Sequence, residues 1–409
     1  MIKPITSVKL RGRRVLLRVG FDVPLEKNKS GEFLVADDTR IRSSLSTINY
    51  LIEQGAKIII ISHLGRPEGE WQRDKSLQPA AIKLAELMGR KFVQINNQLP
   101  SYKIPKHIFF LKEDITVTDY TKLTQTLADG DILFLENLRF YSGEENNDLS
   151  FVRNLAKYGD IFVNDAFSVA HRKSASTYGI AQQLPSYAGV TLMDEITALN
   201  KAVKNPKTPL IIIIGGAKIS DKIDTINFLA KKAEKILVGG AIANSFLKAQ
   251  GYEIGSSKAA EIPLAKELLR HYKDKIVLPA DLVVAKYEDS PSRAAVPEKV
   301  RPDEYIFDIG PQTVKQFARY IKTAKTLIWN GPLGMFEKRK FAFGSLAIAQ
   351  VFASRTKGKA YGVVGGGESL EVIAQAKVGE FIDHISTGGG AMLEYMSGKI
   401  LPAIKVLDQ

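Results

Sequence analysis

Short apolar runs separated by amphipathic helical patterns cover nearly the whole chain. In the first half the runs fall at 15–19, 57–61, 92–95, 108–111, 132–135 and 161–163. In the second half they fall at 210–214, 236–238, 276–278, 282–284, 327–329, 361–364 and 381–385. Such continuous runs predict strands buried on both faces. Between them, Ile41, Leu45, Ile48 and Ile52 recur at helical spacing, and 77–88 reads as a second helix capped by Ser76. Strands alternating with helices predict parallel sheets covered on both sides. Two such sets predict an α/β chain of two doubly wound, Rossmann-like parallel-sheet lobes joined by a helix, with a hinge cleft between them. The expected limits are a first lobe at 1–186, an inter-lobe helix at 187–204 and a second lobe at 205–388. A C-terminal helix and tail at 389–409 could pack back toward the first lobe.

Polar and glycine clusters follow directly after the apolar runs. GFDVP, SHLGRP, ENLRF and NDAF follow runs of the first half; GGAK, WNGPLG, GGGES and STGGG follow runs of the second. Open parallel sheets bind ligands at the carboxyl ends of their strands. Each lobe is therefore expected to carry a site. The first lobe's clusters hold Arg40, Arg66, Arg139 and Arg172 with His63 and His171. Guanidinium forks suit phosphate and carboxylate groups.

The second lobe's clusters hold glycine instead, at 215–216, 239–240, 365–367 and 388–390, each before a helical pattern. Glycine lets the backbone approach a phosphate, and helix N-termini supply donors. In LIIIIGGAKISDKIDTINFLAKK, Ser220 is the expected N-cap, and Lys218 and Lys222 stand one turn apart where the helix should begin. The helix dipole disfavours cations there, so an anionic ligand is the expected partner. Glu368, opening the helix after GGG, is a candidate to sit near magnesium and phosphate.

Composition narrows the choice. The 409 residues include no cysteine, which excludes disulfides and thiolate catalysis. No run of about 18 apolar residues occurs and the first residues lack a signal peptide's apolar core, so no membrane partner and a cytoplasmic setting are expected. The 57 basic against 44 acidic residues leave +13. That excess fits a cleft for phosphorylated metabolites, and no long Lys/Arg block with interleaved aromatics favours nucleic acid. Neither a GxxxxGK[ST] nor a GxGxxG pattern is present.

The blocks RVGFDVP, SHLGRP, ENLRF, VNDAF with AHR, GGAK, SDKI, DIGPQT, WNGPLGMFE and STGGGA, in this order, resemble phosphoglycerate kinase over essentially the whole chain. The resemblance implies reversible transfer of a phosphoryl group between 1,3-bisphosphoglycerate and ADP, giving 3-phosphoglycerate and ATP, with Mg2+, by a monomer whose lobes close on a hinge. It implies that Asp22, Arg40, His63, Arg66, Arg139 and Arg172 bind the phosphoglycerate. It implies that Gly216, Lys218, Lys222, Gly239, Gly240, Asn330, Glu337, Gly365, Gly366, Gly367, Glu368 and Ser369 bind the nucleotide, with Glu368 toward the metal. Arg40 and Lys218 are the expected charge stabilisers, and Gly366 and Gly389 open the helices that face the migrating phosphate.

Several positions depart from that family's pattern. RVGFDVP stands for RVDFNVP, so Gly20 replaces an aspartate and Asp22 an asparagine, both substrate contacts in the family. Ser168 and Val169 replace Gly-Thr, Ser174 a common histidine, Glu368 an aspartate, and Met392 a small residue. An Asp22 carboxylate would repel phosphoglycerate unless an arginine or water compensates. The alternative reading is a weakened relative that binds nucleotide or phosphoglycerate without efficient turnover.

Overall fold

The computed structural model describes residues 2–96, 98–99 and 107–408. The chain divides into two compact units, residues 1–195 with 400–409, and residues 196–399.

In the first unit the strands are β1 (Arg14–Val19), β2 (Leu25–Lys27), β3 (Phe33–Val35), β4 (Lys57–Ile61), β5 (Lys91–Ile95), β6 (His107–Leu111), β7 (Ile132–Leu135), β8 (Ile161–Asp165) and β9 (Ser186–Ala188). Seven of them form one sheet in the order β5-β6-β7-β4-β1-β8-β9, parallel throughout. β2 and β3 pair separately as an antiparallel ribbon. Ile58 to Ile61 and Val15 to Leu17 are fully buried, as apolar runs with helices on both faces must be. Each such side chain contributes about 1.5–3 kcal/mol relative to exposure.

The second unit holds β10 (Leu210–Ile214), β11 (Lys235–Val238), β12 (Ile276–Val277), β13 (Leu282–Ala285), β14 (Arg293–Ala295), β15 (Tyr305–Ile309), β16 (Thr326–Asn330), β17 (Tyr361–Gly365) and β18 (His384–Ser386). A six-stranded sheet runs β12-β11-β10-β16-β17-β18, again parallel. β14-β13-β15 make a small antiparallel sheet with its own apolar cluster around Leu247, Leu282 and Val284.

The expected α/β class with two parallel sheets is what the chain forms. Details differ. The helix expected from position 187 spans Val190–Val203, because Ser186–Ala188 is drawn into the sheet as β9. The helix Gly390–Met396 lies in the second unit, and the tail from residue 400 lies in the first. There Ala403 N–H donates to Ala170 O at 3.1 Å. The run at 381–385 is split into a 3-10 turn, Gly379–Phe381, and the short β18.

Ser76 is not the cap of its helix, which starts at Gln78 after Leu77. Ser76 Oγ accepts from Gln78 N at 3.2 Å, and the buried Glu136 accepts from both Leu77 N and Ser76 Oγ, at 2.8 and 2.7 Å. Ser76 Oγ thus meets the first helical N–H from one position before the cap, held there by the Glu136 carboxylate.

Candidate functional site

β1 and β10 occupy matching places in their sheets. Each has neighbours on both sides that come later in the chain, so the connections diverge from it. The carboxyl end of such a strand is where open α/β sheets form a ligand crevice.

In the first unit that crevice is built on Arg18, a β1 residue only 1% exposed. Its Nε donates to Ser176 Oγ at 2.8 Å, its Nη1 donates to Val19 O, and its Nη2 donates to His63 Nδ1 at 3.0 Å. Burial pulls its pKa down to about 10, against the attraction of Glu144. Glu144 in turn accepts from Ser176 Oγ at 2.5 Å and Ser176 N at 3.0 Å.

A guanidinium only donates, so Nδ1 of His63 must accept and the ring proton lies on Nε2. Burial, and then the positive charges of Arg18, Arg139, Arg172 and Arg40, hold His63 well below the usual imidazole pKa. His63 is thus a neutral donor, with Nε2 at 3.7 Å from Asp22 Oδ2.

Asp22 is compensated. Its Oδ1 accepts from Gly65 N at 2.9 Å, and its Oδ2 lies 3.7 Å from Arg40 Nη1, which also donates to Asp22 O at 2.5 Å. Arg139, 7% exposed, donates to Gly65 O at 2.6 Å and pairs with Glu145 at 3.2 Å. Glu145 lies 3.7 Å from Arg172 as well. Asn137 ties the ENLRF and SHLGRP turns together, donating to Leu64 O and Lys75 O at 2.8 and 2.9 Å. Arg66 is exposed and has no protein partner among the described residues.

The structure therefore gathers Asp22, Arg40, His63, Arg139 and Arg172 into one crown, with Arg66 beside Gly65 on the same turn. The sequence reading missed Arg18, Glu144 and Glu145. A charged residue inside an otherwise apolar strand was the available signal for Arg18, since such groups are rarely buried unpaired.

In the second unit, Gly215 and Gly216 follow β10 and bond across to the turn after β16. Gly215 N donates to Asn330 O at 3.0 Å and Gly216 N to Pro332 O at 2.9 Å. A Cβ on Gly215 would stand 1.9 Å from Pro332 O, so only glycine fits there. The helix begins at Ile223, with Lys222 at its N-cap and no side-chain cap. Ser220 is not the cap: its N–H donates to Glu261 Oε2 at 2.8 Å in the loop before the helix. Lys218 therefore lies in the loop, exposed, rather than on the first turn. Lys222 Nζ donates to Gly215 O at 2.9 Å, and its burial lowers its pKa while Glu368 and Asp221 oppose the shift.

Gly239 and Gly240 open the helix Gly240–Ala249, with Gly240 N donating to Leu333 O at 2.9 Å. Asn330 Nδ2 donates to Gly365 O at 2.8 Å. Ser369 is buried, and its Oγ accepts from Gly331 N at 2.6 Å, so it holds the turn after β16. Trp329, fully buried, fixes the same turn from within through Nε1 to Gly331 O at 2.7 Å. Gly366, at φ 96°, precedes the helix Gly367–Ala376, whose first turn carries the exposed Glu368. Gly389, at φ 53°, precedes Gly390–Met396.

Between the turns after β10 and β16 and the small antiparallel sheet lies a cavity of about 830 Å³. Leu282, Ile306 and Leu333 line it with apolar surface, and Asn244, Glu337 and Glu368 with polar groups. Apolar walls with a few polar groups suit a planar base attached to a polar sugar and phosphates. Gly216 and Gly240 are also on its wall. Among the described residues no three His, Asp or Glu side chains converge as a metal cage.

An arginine crown on one parallel sheet and a nucleotide-sized cavity beside helix N-termini on another define a phosphotransferase of two-unit α/β architecture. The sequence model of phosphoglycerate kinase matches residues 5–399. The chain is 42% identical to the phosphoglycerate kinase of Moorella thermoacetica, covering 99% of this chain and 98% of that one. It is 43% identical to that of Dictyoglomus turgidum, covering 98% and 96%. The solved phosphoglycerate kinase structure from Coxiella burnetii superposes with a TM-score of 0.85 at 36% identity, over 100% of this chain and 99% of that one. The one from Pyrococcus horikoshii gives 0.82 at 29%, over 100% and 98%. The chain belongs to the phosphoglycerate kinase family.

Proposed function

We propose that the two units divide the family's reaction between them. That reaction is the glycolytic, reversible transfer of a phosphoryl group between 1,3-bisphosphoglycerate and ADP, yielding 3-phosphoglycerate and ATP. The observation that carries the division is the crown around His63: Arg18 donates to its Nδ1 at 3.0 Å, Asp22 stands 3.7 Å from its Nε2 with Arg40 beside it, and Arg139 and Arg172 share Glu145. Such a field suits a small, highly charged anion. Arg40, Arg66, Arg139 and Arg172 neutralise the phosphoglycerate, and His63 donates from Nε2. Asp22 shares Arg40 and Gly65 N, so its charge is already offset where the anion binds.

In the second unit the base enters the cavity beside Gly239 and Gly240, with Asn330 and Glu337 toward the ribose. Lys218, Lys222, Gly216 and the helix opened by Gly365, Gly366 and Gly367 meet the phosphates. Ser369 Oγ also holds the turn after β16 by accepting from Gly331 N, and its hydroxyl proton is left to donate to the nucleotide.

Phosphoryl transfer asks little covalent help from a protein: the attacking and leaving oxygens must be in line and the spreading charge neutralised. Arg40 from one unit and Lys218 from the other supply that charge, with the N-termini opened by Gly366 and Gly389. Closure of a hinge brings the two ligands together and keeps water from the acyl phosphate.

The reaction's magnesium would be held by a single carboxylate, Glu368, together with phosphate oxygens, and would neutralise phosphate charge there. We assign the enzyme to the cytoplasm as a monomer; none of the described helices is long and apolar enough to cross a membrane.

The test is a matrix of affinities. Arg66→Gln should weaken 3-phosphoglycerate by about 10-fold or more, the worth of one charged hydrogen bond, and leave ADP unchanged. Lys218→Ala should lower turnover more than it weakens 3-phosphoglycerate. Equal losses of both ligands in either variant would contradict the division.

A further inference from the structure

Position 20 lies at the carboxyl end of β1, two residues before Asp22. Its backbone does not call for glycine: its φ is outside the left-handed region, where only glycine is at ease. A side chain there has one obstacle within 4 Å. A Cβ on Gly20 would stand 3.1 Å from Ser168 Oγ, closer than ordinary contact, and would meet nothing else.

Ser168 follows β8, the parallel neighbour of β1, in the 3-10 turn Phe167–Val169. Its hydroxyl therefore fills, from the β8 side, the volume that a residue at 20 would take from the β1 side. Both positions depart from the family's pattern, and they depart in opposite senses. The aspartate is lost at 20 and a hydroxyl is gained at 168.

Ser168 is half-buried, and among the described residues its Oγ has no protein hydrogen-bond partner. On the β1 side Ser62 Oγ is already committed, accepting from Phe21 N at 3.0 Å and donating to Val19 O at 2.8 Å. A hydroxyl left without a protein partner at the rim of an anion crown is placed to bond a ligand.

We propose that Ser168 Oγ is a substrate-binding group of the phosphoglycerate site, supplying the polar contact that a side chain at position 20 would otherwise make. Gly20 and Ser168 are then one compensated pair: the hydroxyl needs the glycine, and the glycine leaves a contact that the hydroxyl fills. This rests on the assignment of phosphoglycerate to the first unit.

The test measures KM for 3-phosphoglycerate and for ATP in Ser168→Ala, Gly20→Asp and the double variant Gly20→Asp with Ser168→Gly, beside Arg66→Gln. Ser168→Ala should raise KM for 3-phosphoglycerate by about 2- to 10-fold, the loss of one net hydrogen bond, with KM for ATP and the melting temperature unchanged. Gly20→Asp alone should impair 3-phosphoglycerate use more than the double variant does, because the added Cβ meets Ser168 Oγ only when serine is present. A Ser168→Ala enzyme with unaltered KM while Arg66→Gln raises it would overturn the role of Ser168 and leave the first-unit site standing. If neither variant moves KM for 3-phosphoglycerate, the site assignment fails, and the proposal with it. A double variant no better than Gly20→Asp would refute the pairing.

Discussion

Arg18 lies between Leu17 and Val19 in a strand buried on both faces, and a charge in that place has to be offset by partners. Ser176, Val19 and His63 take its donors, and Glu144 balances it through Ser176. The consequence reaches the ligand side of the crown, since the same contact fixes which nitrogen of His63 carries the proton. Nitrogen-detected NMR should find His63 as the Nε2–H form, still neutral well below pH 6.5. A ring protonated at Nδ1, or titrating at the ordinary value, would contradict this. The sign of the linked stability follows. With the folded pKa depressed, the unfolded chain binds the extra proton as pH falls through about 6.5, so stability is present above that value and lost below it, by up to about 1.4 kcal/mol per pH unit. His63→Gln should therefore show a flatter decline between pH 6.5 and 5.5 than the parent protein. Little of this was legible in sequence. Arg40, His63, Arg66, Arg139 and Arg172 stand out beside apolar runs, whereas the signal for Arg18 was only its charge inside the run VLLRV, and its partners come from distant segments.

At the scale of elements, glycines decide how the turns of the second unit meet. Gly366 and Gly367 are neighbours in sequence with different tasks. A Cβ at Gly366 would lie 2.9 Å from Asn330 Nδ2 with φ at 96°, whereas one at Gly367 would meet nothing within 4 Å. Gly366→Ala should lower the melting temperature, since left-handed backbone strains an L residue by about 1–3 kcal/mol, and should weaken nucleotide binding. Gly367→Ala should keep or slightly raise stability, by about 0.4–1 kcal/mol, while weakening ADP if phosphate approaches that bare backbone. Thermal melts and ADP titrations separate the two. Unchanged ADP affinity in Gly367→Ala would count against phosphate binding there. Most parallel strands could be read from continuous apolar runs such as LIIII and KIIII. The antiparallel sheet could be read only in part: β13 falls on the run at 282–284, whereas Arg293–Ala295 is too short to stand out and Tyr305–Ile309 is missed despite its apolar residues. The helix after GGAK failed for a different reason. Ser220 has the chemistry of a cap, but it lies in a loop tied to Glu261, distant in sequence, and the helix starts only at Ile223 with Lys222 at its N-cap.

For the whole molecule, the division into two units follows from two apolar clusters, each centred on its own parallel sheet. The excess of basic residues acquires meaning at this scale. Part of it surrounds His63 in one unit, and part stands beside the glycine turns of the other. Both ligands of the reaction are anions, so each unit carries cations of its own. The departures at 20, 22 and 168 all fall in the first unit, where Gly65 N and Arg40 offset the Asp22 carboxylate and Ser168 Oγ takes the space beside Gly20. The most direct test of the account is ATP consumption by the purified protein with 3-phosphoglycerate and magnesium, coupled to reduction of the acyl phosphate formed. Sustained turnover that requires all three components and stops when magnesium is chelated is the expected result. ADP binding without any 3-phosphoglycerate-dependent turnover would contradict it.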